Sequence, residues 1–68
     1  MRVIADLHGV KHEDVKDLVQ TACSKHEIPF IIITGKSPAM KKIVSDAVKL
    51  FGFTARDLFG NAGRVVIE

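Results

Sequence analysis

Phe30-Ile31-Ile32-Ile33-Thr34-Gly35-Lys36-Ser37-Pro38 is the stretch that decides the fold. Four consecutive aromatic or β-branched residues do not alternate with polar ones, so both faces of the segment are apolar, as in a central, well-buried strand. Gly35 stops that strand, Ser37 offers a capping hydroxyl, and Pro38 has the fixed φ suited to a first helical position. Beyond it, Met40, Ile43, Val44, Ala47, Val48 and Phe51 mark the buried stripe of a helix that Gly52 ends. Upstream, Pro29 blocks a first helix, which Val15, Leu18, Val19, Ala22 and Cys23 define from about Glu13 to near His26. Acidic residues in its opening turn suit the helix dipole. Arg2 to Leu7 reads as a first strand ending at Gly9, and Thr54 to Leu58 as a weaker third. Gly60-Asn61-Ala62-Gly63 is turn chemistry, and Arg64 to Glu68 alternates as a final strand.

The order is βαβαββ, with no linker, repeat or low-complexity tract, so residues 1–68 are expected to form one α/β domain. Helices pack roughly 10 Å apart and strands about 4.8 Å apart, so two helices cover about one face of four strands. The expected architecture is a two-layer sandwich: a four-stranded mixed sheet with both helices mainly on one face. The other face is expected to show Arg2, Ile4, Arg64 and Val66, a mixture of cations and apolar surface on which a protein or a ribosome would dock.

Composition sets the outer limits. With 47% hydrophobic and 26% charged residues, the chain has the balance of a folded domain rather than of a disordered segment. A 68-residue chain buries only roughly 60% of its unfolded surface, and the one cysteine, Cys23, closes no intrachain disulfide, so stability is expected to be modest. The longest apolar run, Ile28 to Ile33, contains Pro29 and falls far short of the roughly 20 residues that span a bilayer. Asp6 interrupts the N-terminal segment before a signal-peptide core develops, and a cytoplasmic chain is expected. A net charge of +2 permits nucleic-acid binding without arguing for it, so local charge placement must decide.

Two motifs carry possible chemistry. Asp6 and His8 are two apart at the end of the first strand, so both side chains share one side if the chain stays extended. A neutral imidazole takes a proton from a hydroxyl near pH 7, a carboxylate orients the ring or holds its charged form, and Gly9 lets a ligand approach the backbone. The bland alternative is that Asp6 caps the following turn and His8 begins a loop. Thr34-Gly35-Lys36-Ser37 lies at a strand-to-helix junction, where free N–H groups and the helix dipole favour phosphate and Lys36 adds a charge. Its alternative is ordinary N-cap chemistry. A right-handed crossover makes the first two strands parallel, which brings Asp6, His8, Thr34 and Lys36 to one crevice. Lys41, Lys42 and Arg64 are candidate additional phosphate contacts, with Arg56 a contributor to the same basic surface.

Other readings fail on the residues. A P-loop needs a glycine five residues before Gly35, where Phe30 stands. A zinc site drawn from Cys23, His26, His8 and His12 conflicts with Cys23 lying on the apolar helix stripe, so no metal or other cofactor is expected. The chain has no Trp or Tyr, and its four Phe fall mostly on buried stripes, so no exposed aromatic platform for bases is expected.

With these motifs in place, the sequence resembles the small MutS-related (Smr) domain family over essentially its whole length. Ile4-Ala5-Asp6-Leu7-His8-Gly9 is similar to the family's opening motif, an apolar strand followed by Asp, any residue, His and Gly. Thr34-Gly35-Lys36 is similar to its second, a His or Thr followed by Gly and a basic or polar residue. Gly60 to Glu68 is similar to its closing glycine-containing turn and last strand. The family carries a further glycine after the basic residue, where this chain has Ser37 and Pro38, so a tighter loop is expected. The resemblance implies an endonuclease acting on RNA, with DNA nicking attributed to some members and messenger RNA on ribosomes the target of several. His8 would then be a general base cutting RNA through its 2′-hydroxyl, and Asp6 its orienting partner. Gly9, Thr34, Gly35, Lys36 and Ser37 would hold the phosphate. The alternative function is a non-catalytic RNA- or ribosome-binding module using the same basic crevice.

Overall fold

The computed structural model describes residues 1–68. The elements are β1 (Val3–Asp6), α1 (His12–Lys25), β2 (Phe30–Ile33), α2 (Pro38–Lys49), β3 (Ala55–Leu58) and β4 (Asn61–Ile67). They form one mixed sheet in the order β1-β2-β4-β3, with β1 and β2 parallel and β4 antiparallel to both β2 and β3. This is the expected α/β fold, and its most apolar segments, β2 and the second half of β4, occupy the centre.

Local signals account for the helices. Ser37 Oγ accepts the Met40 N–H at 3.2 Å and Pro38 follows at the first helical position, so α2 begins where its cap dictates. At its other end the Phe53 N–H donates to Val48 O and the Gly52 N–H to Lys49 O, the paired bonds of a Schellman motif. Gly52 supplies the φ of +75° that this reversal requires. Helix α1 buries Val15, Val19, Ala22 and Cys23 and α2 buries Met40, Val44, Ala47 and Val48, each at helical spacing. Together with Leu7, Phe30, Ile32, Val65 and Ile67 these side chains make one core, so both helices cover the same sheet face. Two stripe assignments are corrected. Leu18 is 47% exposed, and Phe51 lies beyond the end of α2, where it is half out of the core and stacks on Phe53 at 5.9 Å.

The opposite face is built by Ile31 and Val66, which are buried yet stand outside the helix-side core. Register places Val3, Ile31, Val66 and Arg56 in one row across the sheet, and Asp6, Ile33 and Arg64 in the next. Arg64 and Val66 therefore lie on the uncovered face as expected, but Ile4 does not. The register shifts between Val3 and Ala5, so Ile4 and Ala5 both pack against the helix-side core. Arg2 and Ile4 instead border a groove shared with Lys25 and His26 at the end of α1.

Strand β4 is longer than its alternation predicts. Asn61-Ala62-Gly63 belongs to the strand, and the turn shrinks to Phe59-Gly60 between the paired residues Leu58 and Asn61. Gly60 at φ +80° and a register shift beside Leu58 make this tight connection feasible. No helix is long and apolar enough to cross a membrane.

Candidate functional site

Three segments meet at one end of the sheet because β1 and β2 are parallel and the first residues of the antiparallel β4 lie beside and beyond the end of β2. The Leu7 N–H donates to Ile33 O at 2.8 Å, carrying the β1–β2 pairing into the Asp6–Gly9 segment. The Thr34 and Gly35 N–H groups both donate to Gly63 O at 3.0 Å, which fastens the β2–α2 loop to β4. Asp6-Leu7-His8-Gly9, Thr34-Gly35-Lys36-Ser37 and the Gly60–Gly63 segment thus share one edge, although 29 residues separate Thr34 from Gly63 in sequence.

At the first loop the strand ends at Asp6, so Asp6 and His8 do not share the side of an extended chain. The Asp6 carboxylate instead accepts the backbone N–H of His8 at 2.9 Å, while Val10 N–H donates to Leu7 O at 3.0 Å and closes a turn. Gly9 takes φ +80° in that turn. Asp6 therefore fixes His8 through its backbone rather than through its ring. The imidazole is exposed and makes no hydrogen bond within the protein, leaving both ring nitrogens open to a ligand. The carboxylate's second oxygen is also unengaged.

The second loop distributes its donors differently from the sequence expectation. Thr34 is 3% exposed, and its hydroxyl donates to Gly35 O at 2.8 Å and lies 3.5 Å from Gly63 O. With their N–H groups also turned to Gly63, Thr34 and Gly35 have no donor left for a phosphate; their part is to shape the loop. No buried side-chain polar atom lacks a partner. The donors that remain are the N–H groups of Lys36, Ser37 and Ala39, which bond to nothing in the protein and open the first turn of α2. Ser37 spends its oxygen on the helix cap but keeps its hydroxyl proton.

Charge placement separates the cations. Lys36 is exposed and Arg64 half-buried, and neither has a carboxylate partner. Arg64 stands in the same cross-strand row as Asp6 with Ile33 between them, an estimated 10 Å or so from Cα to Cα over two strand spacings. Lys41 is held by Asp57 at 3.0 Å and Lys42 by Asp46 at 3.3 Å, along the groove between α2 and β3. The structure thus brings Asp6, His8, Gly9, Lys36, Ser37 and Arg64 to one edge and sets Lys41 and Lys42 apart on the helix flank. No three His, Cys, Asp or Glu side chains come together as metal ligands would.

The edge is open rather than a closed pocket. None of the four surface concavities is lined by Asp6, His8, Thr34 or Lys36. Such a surface has room for a polymer passing across it. One aromatic expectation is corrected here: Phe59, at the apex of the β3–β4 connection, is 99% exposed. The adjacent apolar pair Leu58-Phe59 was its sequence signal, since neighbouring residues of a strand cannot both face the core. Scanned against models of known families, curated proteins and solved structures, the chain matches none.

Proposed function

We propose that this domain is an Smr-type endoribonuclease that cuts RNA by attack of a 2′-hydroxyl on the adjacent phosphate. The observation that carries the reading is the physical joining of the three motifs: Leu7 N–H to Ile33 O, and Thr34 and Gly35 N–H to Gly63 O, tie them into one edge. An imidazole nitrogen of His8 takes the 2′-hydroxyl proton, the 2′-oxygen bonds to phosphorus, and the bond from phosphorus to the 5′-oxygen breaks. The leaving oxygen gains a proton from solvent, and His8 returns its own to solvent. Products are a 2′,3′-cyclic phosphate and a 5′-hydroxyl. The N–H groups of Lys36, Ser37 and Ala39, with the Lys36 ammonium, face the charge that grows on the phosphate. Asp6 acts as a positioning residue by holding the backbone of His8. A DNA strand, having no 2′-hydroxyl, is not cut by this route.

The second reading, a non-catalytic RNA- or ribosome-binding module, draws on one observation: Asp6 bonds the backbone of His8 and leaves its ring without an orienting partner. End-labelled single-stranded RNA incubated in EDTA with the parent and with His8→Ala separates the two. The nuclease reading expects cyclic-phosphate ends from the parent and a rate about 10²- to 10⁴-fold lower for the variant. Products with 3′-hydroxyl and 5′-phosphate ends would reject the 2′-hydroxyl route. No cleavage by either protein, with or without Mg²⁺ and Mn²⁺, while RNA is still bound, would establish the binding module.

A further inference from the structure

The apex of the β3–β4 hairpin adds something the three motifs do not supply. Residues Asn61 and Ala62 precede Gly63, the partner of the β2–α2 loop, so the hairpin projects beyond the end of β2 by about 7 to 10 Å at 3.4 Å per residue. It stands as a wall beside the open edge, and Phe59 is its tip. Scattered exposed apolar residues are ordinary. Phe59 differs because its whole ring is in solvent while its backbone is fixed by the Leu58–Asn61 pair below it. The other three phenylalanines are engaged: Phe30 is in the core beside His26, and Phe51 and Phe53 stack on each other.

The surroundings favour a nucleic acid over a protein. A concavity of about 610 Å³ lies beside the ring, bordered by Arg56, Asp57, Leu58, Phe59, Asn61 and Ala62, with Arg56 paired to Glu68 and Asp57 to Lys41, so its charges are balanced. The free cation is Arg64 of the same hairpin, which has no carboxylate partner and stands in the cross-strand row of Ile33 and Asp6. A phenyl side chain offers only about 150 to 250 Å². A specific protein interface needs roughly 800 Å² per partner. A base needs one flat apolar face and a cation for the neighbouring phosphate, and every base has such a face, so a single ring suffices.

We propose that Phe59 is a stacking platform for one unpaired base of a single-stranded RNA whose backbone crosses the Asp6–His8–Lys36 edge. The inference rests on the endoribonuclease reading and gives that site a contact remote from the cut. The platform selects unpaired strands, since a base in a duplex already has both faces stacked, and it is indifferent to base identity.

The test uses 2′-O-methyl oligouridine, which lacks the attacking hydroxyl and stays intact. Phe59→Trp introduces the chain's sole tryptophan, so its fluorescence reports this position alone. Stacking expects quenching of Phe59→Trp on addition of the oligomer, and binding about 5- to 150-fold weaker for Phe59→Ala. Phe59→Leu, apolar but without a π-face, should not restore affinity. Equal binding by parent, Phe59→Ala and Phe59→Leu, with unquenched Phe59→Trp, would overturn the platform while leaving the nuclease reading to its own cleavage assay. A parent that binds no oligomer and cuts no RNA removes both. Self-association of the parent that Phe59→Ala abolishes, with RNA binding unaltered, would assign the ring to a second copy of the chain and overturn the proposal.

Discussion

Replacing Thr34 by valine separates a residue that shapes the site from one that touches the phosphate. The hydroxyl is buried, donates to Gly35 O at 2.8 Å and approaches Gly63 O at 3.5 Å. Valine keeps the shape and removes the donor. Gly63 O still accepts two N–H bonds, so no oxygen there is orphaned, and the loss is that of one neutral hydrogen bond at Gly35, about 0.5 to 1.5 kcal/mol. A domain of this length holds about 3 to 10 kcal/mol in all. Each 1 kcal/mol moves the Tm of a 60- to 100-residue domain by about 4 to 8 °C, so the variant should melt about 2 to 12 °C lower. Its affinity for RNA, measured by fluorescence anisotropy well below the melting range, should match the parent's. An unchanged Tm with a tenfold or greater loss of RNA affinity would refute the reasoning and return Thr34 to direct phosphate contact.

Other predictions follow from the same geometry. Lys36→Gln and Arg64→Gln should each flatten the log–log salt dependence of RNA binding by about 0.7, the share of one single-strand phosphate contact, whereas Lys42→Gln, whose ammonium Asp46 already holds, should leave the slope unchanged. Gly35 sits at φ +68° with open space where a Cβ would go, so Gly35→Ala should cost about 1 to 2 kcal/mol in urea denaturation from backbone strain alone. Burial pushes the Cys23 thiol above its ordinary value of 9.0. Below that pH both folded and unfolded thiols keep the proton and stability is unaffected. Above it the unfolded thiol ionises first, so the unfolded chain binds fewer protons and stability falls as pH rises, until the folded thiol ionises too. Denaturation at pH 8 and pH 10 should therefore show a larger loss for the parent than for Cys23→Ala, and equal losses would sink the assignment.

The order of elements was legible because each one signals locally. Phe30 to Ile33 is apolar on both faces, Ser37-Pro38 announces a helix start, and Gly52 its end. What stayed hidden depends on partners distant in sequence. That the Thr34 and Gly35 N–H groups turn inward is decided by Gly63 O, which only strand pairing brings near. The inward side of Ile4 follows from a register shift against β2, which alternation along β1 cannot express. Asp6 lies at a strand end as its sequence indicates, yet two readings, a turn cap and a ring partner, share the same spacing. The fold chose the cap on the His8 backbone. The exposure of Phe59 is invisible to composition, which counts aromatics without locating them, and the turn that carries it is two residues shorter than the glycines suggest.

The sheet order also sets a sequence of events. Strand β4 is last along the chain but lies between β2 and β3, contributing Val65 and Ile67 to the core and Gly63 O to the loop that bears Lys36. Until it inserts, β2 has one bare edge, β3 has no neighbour, and the N–H groups of Thr34 and Gly35 have no acceptor. Closing so long a loop before any contact rewards it places these pairings among the slow, non-local steps of folding. A chain still emerging during its synthesis therefore carries the Asp6–His8 and Thr34–Lys36 segments well before it has the scaffold that joins them. The candidate edge is assembled only when β4 pairs with β2.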